Sequence, residues 1–380
     1  MRSRAHLTAF LRQPYAVYRE YPRWVAPLEA ERRRFLDPRS NPYLRRGNAA
    51  YFLAQRGSET VGRVVALVDP DGPEDRREGH LGFFECADDP SAAQALFDSG
   101  TDWLRTQAVR TVIGPMSPNA HHECGLLVEG FDDAPLIGIP YNPPYYEELF
   151  TSNHFVPVKD LLSWRVPTGS TRATQVIRYA DAVSGRNGLR VRPADFRRFA
   201  AESALVRDLY NECWRENWGF APMTEAEFVQ LARTVRKVAP DGVRILEADG
   251  RAAGFSVLLP DLNQALAPAR GRLTRAGWPS GAWRVWRAQR AVNRGRLMAL
   301  GVPDALRRRG AGSVLVADAL AQARQSGWDD LDVSWILADN EPANRGIATA
   351  GGVVHKRHRL YGRCLVHNGD CACLAPDREA

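Results

Sequence analysis

The segment Arg296 to Gly312, RLMALGVPDALRRRGAG, limits what this chain can fold into more than any other. An apolar strand runs to a break at Gly301 and Pro303. An R-x-x-G-x-G turn follows at Arg307, Gly310 and Gly312, and a helix-periodic run, SVLVADALAQARQSG, starts at once. A glycine-rich turn between strand and helix leaves backbone N–H groups bare at the helix N-terminus. With the positive end of the helix dipole they make a seat for a phosphate or pyrophosphate. Glycine suits the turn because a Cβ would hold the backbone off the anion and would resist a positive φ. Such a turn alone is equally a plain tight helix start, so the residues that follow carry the argument.

Behind the helix come the strand LDVSWIL (Leu331 to Leu337) and then Asn340-Glu341-Pro342-Ala343-Asn344. A short helix, Gly351-Gly352 and a last strand toward Tyr361 complete the pattern. The order strand, phosphate turn, helix, strand, Asn, helix, Gly, strand resembles the acetyl-CoA-binding half of the GCN5-related N-acetyltransferase (GNAT) superfamily. Val302-Pro303, the Arg307-x-x-Gly310-x-Gly312 turn, and Asn340-x-x-Ala343 with Gly351 beyond it carry the resemblance. It implies that the turn holds the CoA pyrophosphate, that the preceding strand offers backbone groups to the pantetheine, and that the Asn seats the cofactor arm. Leu300, Val302, Arg307, Arg309, Gly310, Gly312, Asn340 and Asn344 are therefore the expected acyl-CoA (acetyl-CoA) residues, with the thioester near Leu300 and Ser334. One position departs from the family. A Tyr that often serves as general acid toward the leaving thiolate is here Ile347, so the acid is either absent or its role has moved, to Tyr361 or to a residue of the other half.

At 380 residues the chain has room for about two domains. An apolar share of 44% and a charged share of 25% describe an ordinary globular protein. No apolar run approaches the ~20 residues of a membrane helix, and proline and charge interrupt the N-terminus too early for a signal peptide. Cytoplasm is the expected location. The net charge of +7 rests almost wholly on arginine, since Lys159, Lys237 and Lys356 are the only lysines. That bias reflects a GC-rich coding sequence as readily as binding to polyanions. Cys86, Cys124, Cys213, Cys364, Cys371 and Cys373 are scattered, and Cys371-x-Cys373 lacks a second pair at zinc spacing, so reduced thiols and no metal are expected.

The first half repeats the second in altered form. Tyr51 to Gln55 and Thr60 to Val68 read as a hairpin, Leu81 to Glu85 as a strand, Ser91 to Ala108 as a helix opened by Asp89-Pro90, and Thr111 to Ile113 as the next strand. A short helix at Pro144 to Phe150 and a strand at Leu161 to Val166 follow. Between strand and helix stands CADDPSA, with acids and no glycine turn, so this half should not bind pyrophosphate. The expected architecture is α/β (mixed α+β): two tandem GNAT-like lobes, the first degenerate. Residues 1–167 form the first lobe, 168–187 a linker, 188–368 the acyl-CoA lobe and 369–380 a tail. Stretches such as GPMSPNAHHECGLLVEGFD, PYNPPYYEEL and DVSWILADNEPANR are similar to those of a poorly characterised bacterial group of tandem GNAT-like proteins. The architecture also resembles the tandem GNAT-fold peptidyltransferases that use aminoacyl-tRNA.

Amine acylation needs a proton acceptor for the acceptor ammonium. In Pro118-Asn119-Ala120-His121-His122-Glu123-Cys124-Gly125, Glu123 is the expected base, facing the acceptor cleft, with His122 next. The bland reading is a loop whose Glu and His satisfy backbone donors; zinc is disfavoured because adjacent His side chains seldom converge on one ion. Asn211, Asn217 and Trp218, in NECWRENWGFAP, and Tyr141 are the expected acceptor-binding residues, against an aromatic-packed helix corner. Thr224 and Glu227 form a candidate capping box. The run Ala267 to Arg296 is Arg-dense with Trp278, Trp283 and Trp286 interleaved. It suits RNA, an anionic membrane surface, or a cap packed on the body. The leading expectation is acyl transfer from acyl-CoA to a small-molecule amine, as in secondary metabolism. The rivals are aminoacyl-tRNA-dependent transfer, with tRNA as partner, and a non-catalytic CoA-binding module.

Overall fold

The computed structural model describes residues 4–71, 78–274 and 277–366. Cys371, Cys373 and the tail 369–380 lie outside them. The described residues divide into two units. The first draws on the described residues up to Leu161, on those within Leu266–Arg287 and on those from Lys356 onward, the second on Leu162–Ala265 and Ala288–His355.

The first half of the chain supplies helices α1 (Arg4–Val17), α2 (Glu29–Phe35), α3 (Pro42–Arg46), α4 (Pro90–Thr106) and α5 (Tyr146–Thr151). Its strands are β1 (Ala49–Arg56), β2 (Glu59–Val68), β3 (Glu78–Cys86), β4 (Thr111–Gly114), β5 (Met116–Ser117), β6 (Glu123–Cys124), β7 (Leu126–Glu129) and β8 (Val156–Pro167). The second half supplies α6 (Thr171–Asn187), α7 (Phe199–Cys213), α8 (Glu225–Val238), α9 (Leu262–Leu266), α10 (Ser280–Ala288), α11 (Asp304–Arg307), α12 (Ala311–Gln325) and α13 (Glu341–Thr349). Its strands are β9 (Leu189–Pro193), β10 (Val243–Ala248), β11 (Arg251–Pro260), β12 (Arg294–Gly301), β13 (Asp330–Leu337) and β14 (Val353–Cys364).

In the first unit the strand order is β1-β2-β3-β4-β14, with β7 also on β14. The β1–β2 and β2–β3 pairs are antiparallel and β3–β4 is parallel, with α4 as the crossover. Alternation along β2 sends Val64 and Ala66 to one core with Leu81, Phe97 and Phe150. Val65, Leu67 and Phe83 pack on the opposite face against Phe10 and Tyr43. In the second unit the order is β8-β13-β12-β11-β10-β9, again antiparallel until the parallel β12–β13 pair around α12. Parallel strands require such a crossover, so each unit places a helix N-terminus at the C-terminal end of a central strand. The same local pattern has been folded twice.

Helix α12 forms because Ala, Leu, Gln and Arg, most of its residues, are good helix formers. It buries Leu315 and Leu320 completely, each stabilising by about 1.5–3 kcal/mol. Gly327, at φ +71°, lies just beyond its C-terminus. Residues 168–187, read as a linker, contain α6, whose Ala173, Ala180 and Val183 are buried in the second unit's core beside α12. Thr224 and Glu227 make the expected capping box at the start of α8. The segment Leu266–Arg287, placed by the sequence within the second lobe, packs with the first unit. Glu29 donates its N–H to Gly271 at 2.9 Å, and Arg272 pairs with Glu29 at 3.1 Å.

Candidate acyl-CoA site and the polar clusters of each unit

The second unit has an open helix N-terminus. Gly310, at φ +77°, precedes α12, and no side chain caps the helix there. Helix geometry leaves the N–H groups of Ala311, Gly312 and Ser313 without intrahelical acceptors. A Cβ on Gly310 would lie 2.9 Å from Val183 Cγ1, whereas one on Gly312 would meet nothing within 4 Å. Gly310 thus shapes the turn and packs it on α6, while Gly312 leaves space above the helix end. A concavity of about 480 Å³ opens here, bordered by Arg186, Arg307, Arg308, Arg309, Gly310 and Ser313. Four arginines border it at the positive end of a helix dipole, which suits a polyanion.

The arginines differ in their freedom. Arg309 Nη2 donates to Asn187 O at 2.5 Å while Asn187 Nδ2 donates to Arg309 O at 2.8 Å, stapling α6 to the turn. Arg307 Nε donates to Val302 O at 3.2 Å, and its Nη1 pairs with Asp304 at 2.7 Å. Arg186 is not among the expected residues, since it lies on α6, inside the segment expected to be a linker. The available signal was Ala173, Ile177, Ala180 and Val183 recurring at helical spacing.

Behind the turn, the paired part of β12 and β13 ends at Leu297 and Val333 although each strand continues. The strands part there. Side chains of Leu300 and Val302 pack inward on the α12 core, so only their backbone is offered to a ligand. At the parting, buried Arg296 donates from Nε to Ser334 Oγ and from Nη2 to Ser334 O, both at 3.1 Å. Ser334 Oγ in turn donates to Asp332, and His355 Nε2 contacts the other Asp332 oxygen at 2.6 Å. Arg165 Nη2 lies 3.1 Å from His355 Nδ1. A guanidinium can only donate, so in this arrangement Nδ1 carries the lone pair and Nε2–H donates to Asp332. This buried chain holds the strands where they diverge.

Asn340 caps α13, its side chain accepting from Ala343 N at 3.3 Å. Asn344 donates to Leu337 O and Ala338 O at 3.0 and 3.1 Å and accepts from Trp164 Nε1 at 2.9 Å. Its amide is committed to holding the end of β13. Ile347 is buried beside Val333 and Ala350, so an apolar contact fills the family's acid position.

In the first unit the helix start opposite in kind is closed. Asp89 caps α4 by accepting from Ala92 N at 3.1 Å, and Arg56 and Ser91 bind the same carboxylate. Hydrogen bonds from Arg56 and Ser91 hold its pKa well below the usual range. A carboxylate already occupies the place where an anion would sit.

A profile of the Acetyltransferase (GNAT) family matches residues 204–345. The Bacterial ceramide synthase of Caulobacter vibrioides (strain NA1000 / CB15N) is 31% identical over 370 residues, 95% of this chain and 95% of that protein. The chain belongs to the GNAT family. It is an acyltransferase with two GNAT-like lobes. Protein YghO of Escherichia coli (strain K12) is 32% identical over 364 residues, 93% of this chain and 92% of that one. Among solved structures, the tandem GNAT protein from the clavulanic acid biosynthesis pathway superposes with a TM-score of 0.53 at 12% identity, covering 97% of each chain. That likeness concerns the fold alone.

The remaining expected residues of this GNAT protein have the following places. Glu123 lies on β6 and is ion-paired with Arg32 at 2.9 Å. His122 is half-buried, with Nδ1 2.8 Å from Asn119 Oδ1 and its ring 5.1 Å from that of Phe35. Burial, aided by the charges of His121 and Arg32, pulls its pKa down to about 3, so it is neutral near pH 7. Tyr361 is wholly buried in the first unit's core and donates to Glu147 Oε1 at 2.6 Å. Burial and that carboxylate raise its pKa. Tyr141 donates to Phe131 O at 3.2 Å. Asn211 bonds both backbone groups of Met223, at 3.0 and 3.2 Å, and so closes the corner between α7 and α8. Asn217 is exposed and Trp218 half-buried in that corner.

Glu85 was passed over. It lies directly across from Arg63 in the β2–β3 register, 3.6 Å away, and accepts from Tyr146 Oη at 2.9 Å. Burial raises its pKa against the lowering pull of Arg63. The signal was a lone charge in each of two apolar strands, VGRVVALV and LGFFEC; Arg296 and Asp332 repeat it on paired strands of the second unit. Cys86, Cys124, Cys213 and Cys364 are buried thiols, and burial pushes Cys86 and Cys213 up to about 12. No cluster of three His, Cys, Asp or Glu suited to a metal ion occurs among the described residues.

Proposed function

We propose that this protein forms an amide by moving an acyl group from acyl-CoA to the amino group of a long-chain amino alcohol. The observation that carries the donor assignment is the uncapped N-terminus of α12 beside four arginines, set against the carboxylate-filled start of α4. A CoA molecule presents a pyrophosphate and a further phosphate, which suits such a seat. The acceptor class is drawn from the relative named a ceramide synthase, since a ceramide is an N-acylated long-chain base. This reading replaces the broader expectation of an amine from secondary metabolism.

The amine must lose a proton before it attacks the thioester carbonyl; the carbon–sulfur bond then breaks and the thiolate takes up a proton. Glu123 is the proposed acceptor of the amine proton. Glu85 is the second reading, supported by its burial among Arg63 and Tyr146 and by the raised pKa that burial gives it. The Gln variant of the true base should lose about 10²–10⁴-fold in turnover, with the acidic limb of its pH profile removed. The test of the overall reading is mass spectrometry of purified, RNase-treated protein given acyl-CoA and a long-chain amino alcohol. An N-acyl product and free CoA in equal amounts are expected. No product from several acyl-CoA chain lengths, with product from aminoacyl-tRNA, would replace this reading.

A further inference from the structure

We infer that α10 and the turn before it form a docking surface for an anionic phospholipid bilayer. Trp278 is 75% exposed, and Trp283 and Trp286 are each 56% exposed. Large aromatic rings left this open on a folded surface mark a contact site rather than core. Trp283 and Trp286 are three residues apart and so share one face of the helix. The opposite face packs on the preceding turn of the insert, at Arg272 and Leu273. Gly281 is buried there, and a Cβ on it would lie 2.0 Å from Arg272 O. Ala282 donates to Leu273 O at 2.9 Å, and the base of the segment is fastened to α2 through Gly271 and Arg272. The tryptophans are therefore held outward by a fixed mount.

The charge of the segment is one-signed. Residues 266–287 contain Arg270, Arg272, Arg275, Arg284 and Arg287 and no acidic residue. Arg284 and Arg287 are exposed on α10 itself. Tryptophan favours the bilayer headgroup region, and arginine there is drawn to anionic lipid. Single-stranded nucleic acid, the other polyanion this composition suits, needs open aromatic faces for base stacking. The Arg287 guanidinium lies 5.7 Å from the centre of the Trp283 ring, on one of its faces, and exposed Leu273 adds an apolar residue that RNA would not use. The bilayer is the better match. This inference stands on the surface alone and does not depend on the donor or acceptor proposed above.

The test is co-sedimentation of the full chain with vesicles of phosphatidylcholine containing phosphatidylglycerol, and with phosphatidylcholine alone. Binding to the anionic vesicles is expected, weaker on neutral ones and weakened by salt. A Trp278→Ser, Trp283→Ser, Trp286→Ser variant should lose sedimentation while keeping its thermal midpoint, because the rings are mostly in solvent. An Arg284→Ser, Arg287→Ser variant should bind roughly thirtyfold more weakly, about fivefold for each arginine near an anionic surface. Wild-type protein that ignores both vesicle types, or a folded triple-Trp variant that sediments like wild type, overturns the inference. Retention on bulk tRNA without any vesicle binding also overturns it and assigns the surface to nucleic acid.

Discussion

Replacing Gly312 by aspartate changes folding and donor binding in opposite directions. Gly312 is in the first turn of α12, its φ is not in the left-handed region, and an added Cβ meets nothing within 4 Å. A carboxylate in a helix's first turn complements the dipole by about 0.3–1 kcal/mol, and leaving glycine adds a few tenths of a kcal/mol of helix propensity. Gly312→Asp should therefore hold or raise stability by roughly 0.5–1 kcal/mol. A CoA phosphate seated on the same N–H groups would meet the new carboxylate at about 5 Å. With an effective dielectric between ~20 and ~80 the repulsion is about 1–3 kcal/mol per unit charge, or roughly 5- to 150-fold in affinity. Calorimetric titration with CoA, paired with a urea melt, reads both quantities. Gly310 is a poorer site to test: at φ +77° and 2.9 Å from Val183, any side chain there strains the fold itself. A folded Gly312→Asp protein with unchanged CoA affinity would refute the placement of pyrophosphate at this turn.

Two further outcomes follow from buried groups. Asp332→Asn removes the charge on which the Ser334–Arg296 and His355–Arg165 contacts converge, and should cost about 3–5 kcal/mol in a urea melt; a loss under about 1 kcal/mol would show the network is slack. His122 is held neutral, with a folded pKa of about 3 against about 6.5 unfolded. The unfolded state therefore binds the extra proton first, so stability is unaffected above pH 6.5 and falls as pH drops from there toward 3, by at most about 1.4 kcal/mol per pH unit. His122→Phe should flatten that part of the stability–pH curve, and an unchanged curve would show that His122 is not the group involved.

The elements that carry local signals were legible in the sequence. The strand–turn–helix at Arg296 to Gly312, the Asp89-Pro90 start of α4 and the Thr224–Glu227 capping box each depend on residues close in the chain. What was not legible depends on tertiary pairing. Helix α6 has a periodic apolar face, but nothing local says that it walls the α12 turn and supplies Arg186 and Asn187. The lone charges Arg63, Glu85, Arg296 and Asp332 were visible, yet their partnership needs the strand register. Asn344, at a motif position, and Asn211, in an aromatic-rich corner, invite a reading as ligand contacts; Asn344 holds the end of β13 and Trp164, and Asn211 holds Met223. The insert's Arg and Trp content was plain, whereas its attachment to the first unit through Glu29 and Gly271 was not.

The most direct measurement of the donor claim is a crystal structure of the protein grown with CoA. The pyrophosphate is expected within hydrogen-bonding distance of the N–H groups of Ala311, Gly312 and Ser313, with Arg307 or Arg308 beside it and the pantetheine entering where β12 and β13 part. CoA bound elsewhere on the chain, with the α12 N-terminus left to solvent, would contradict it.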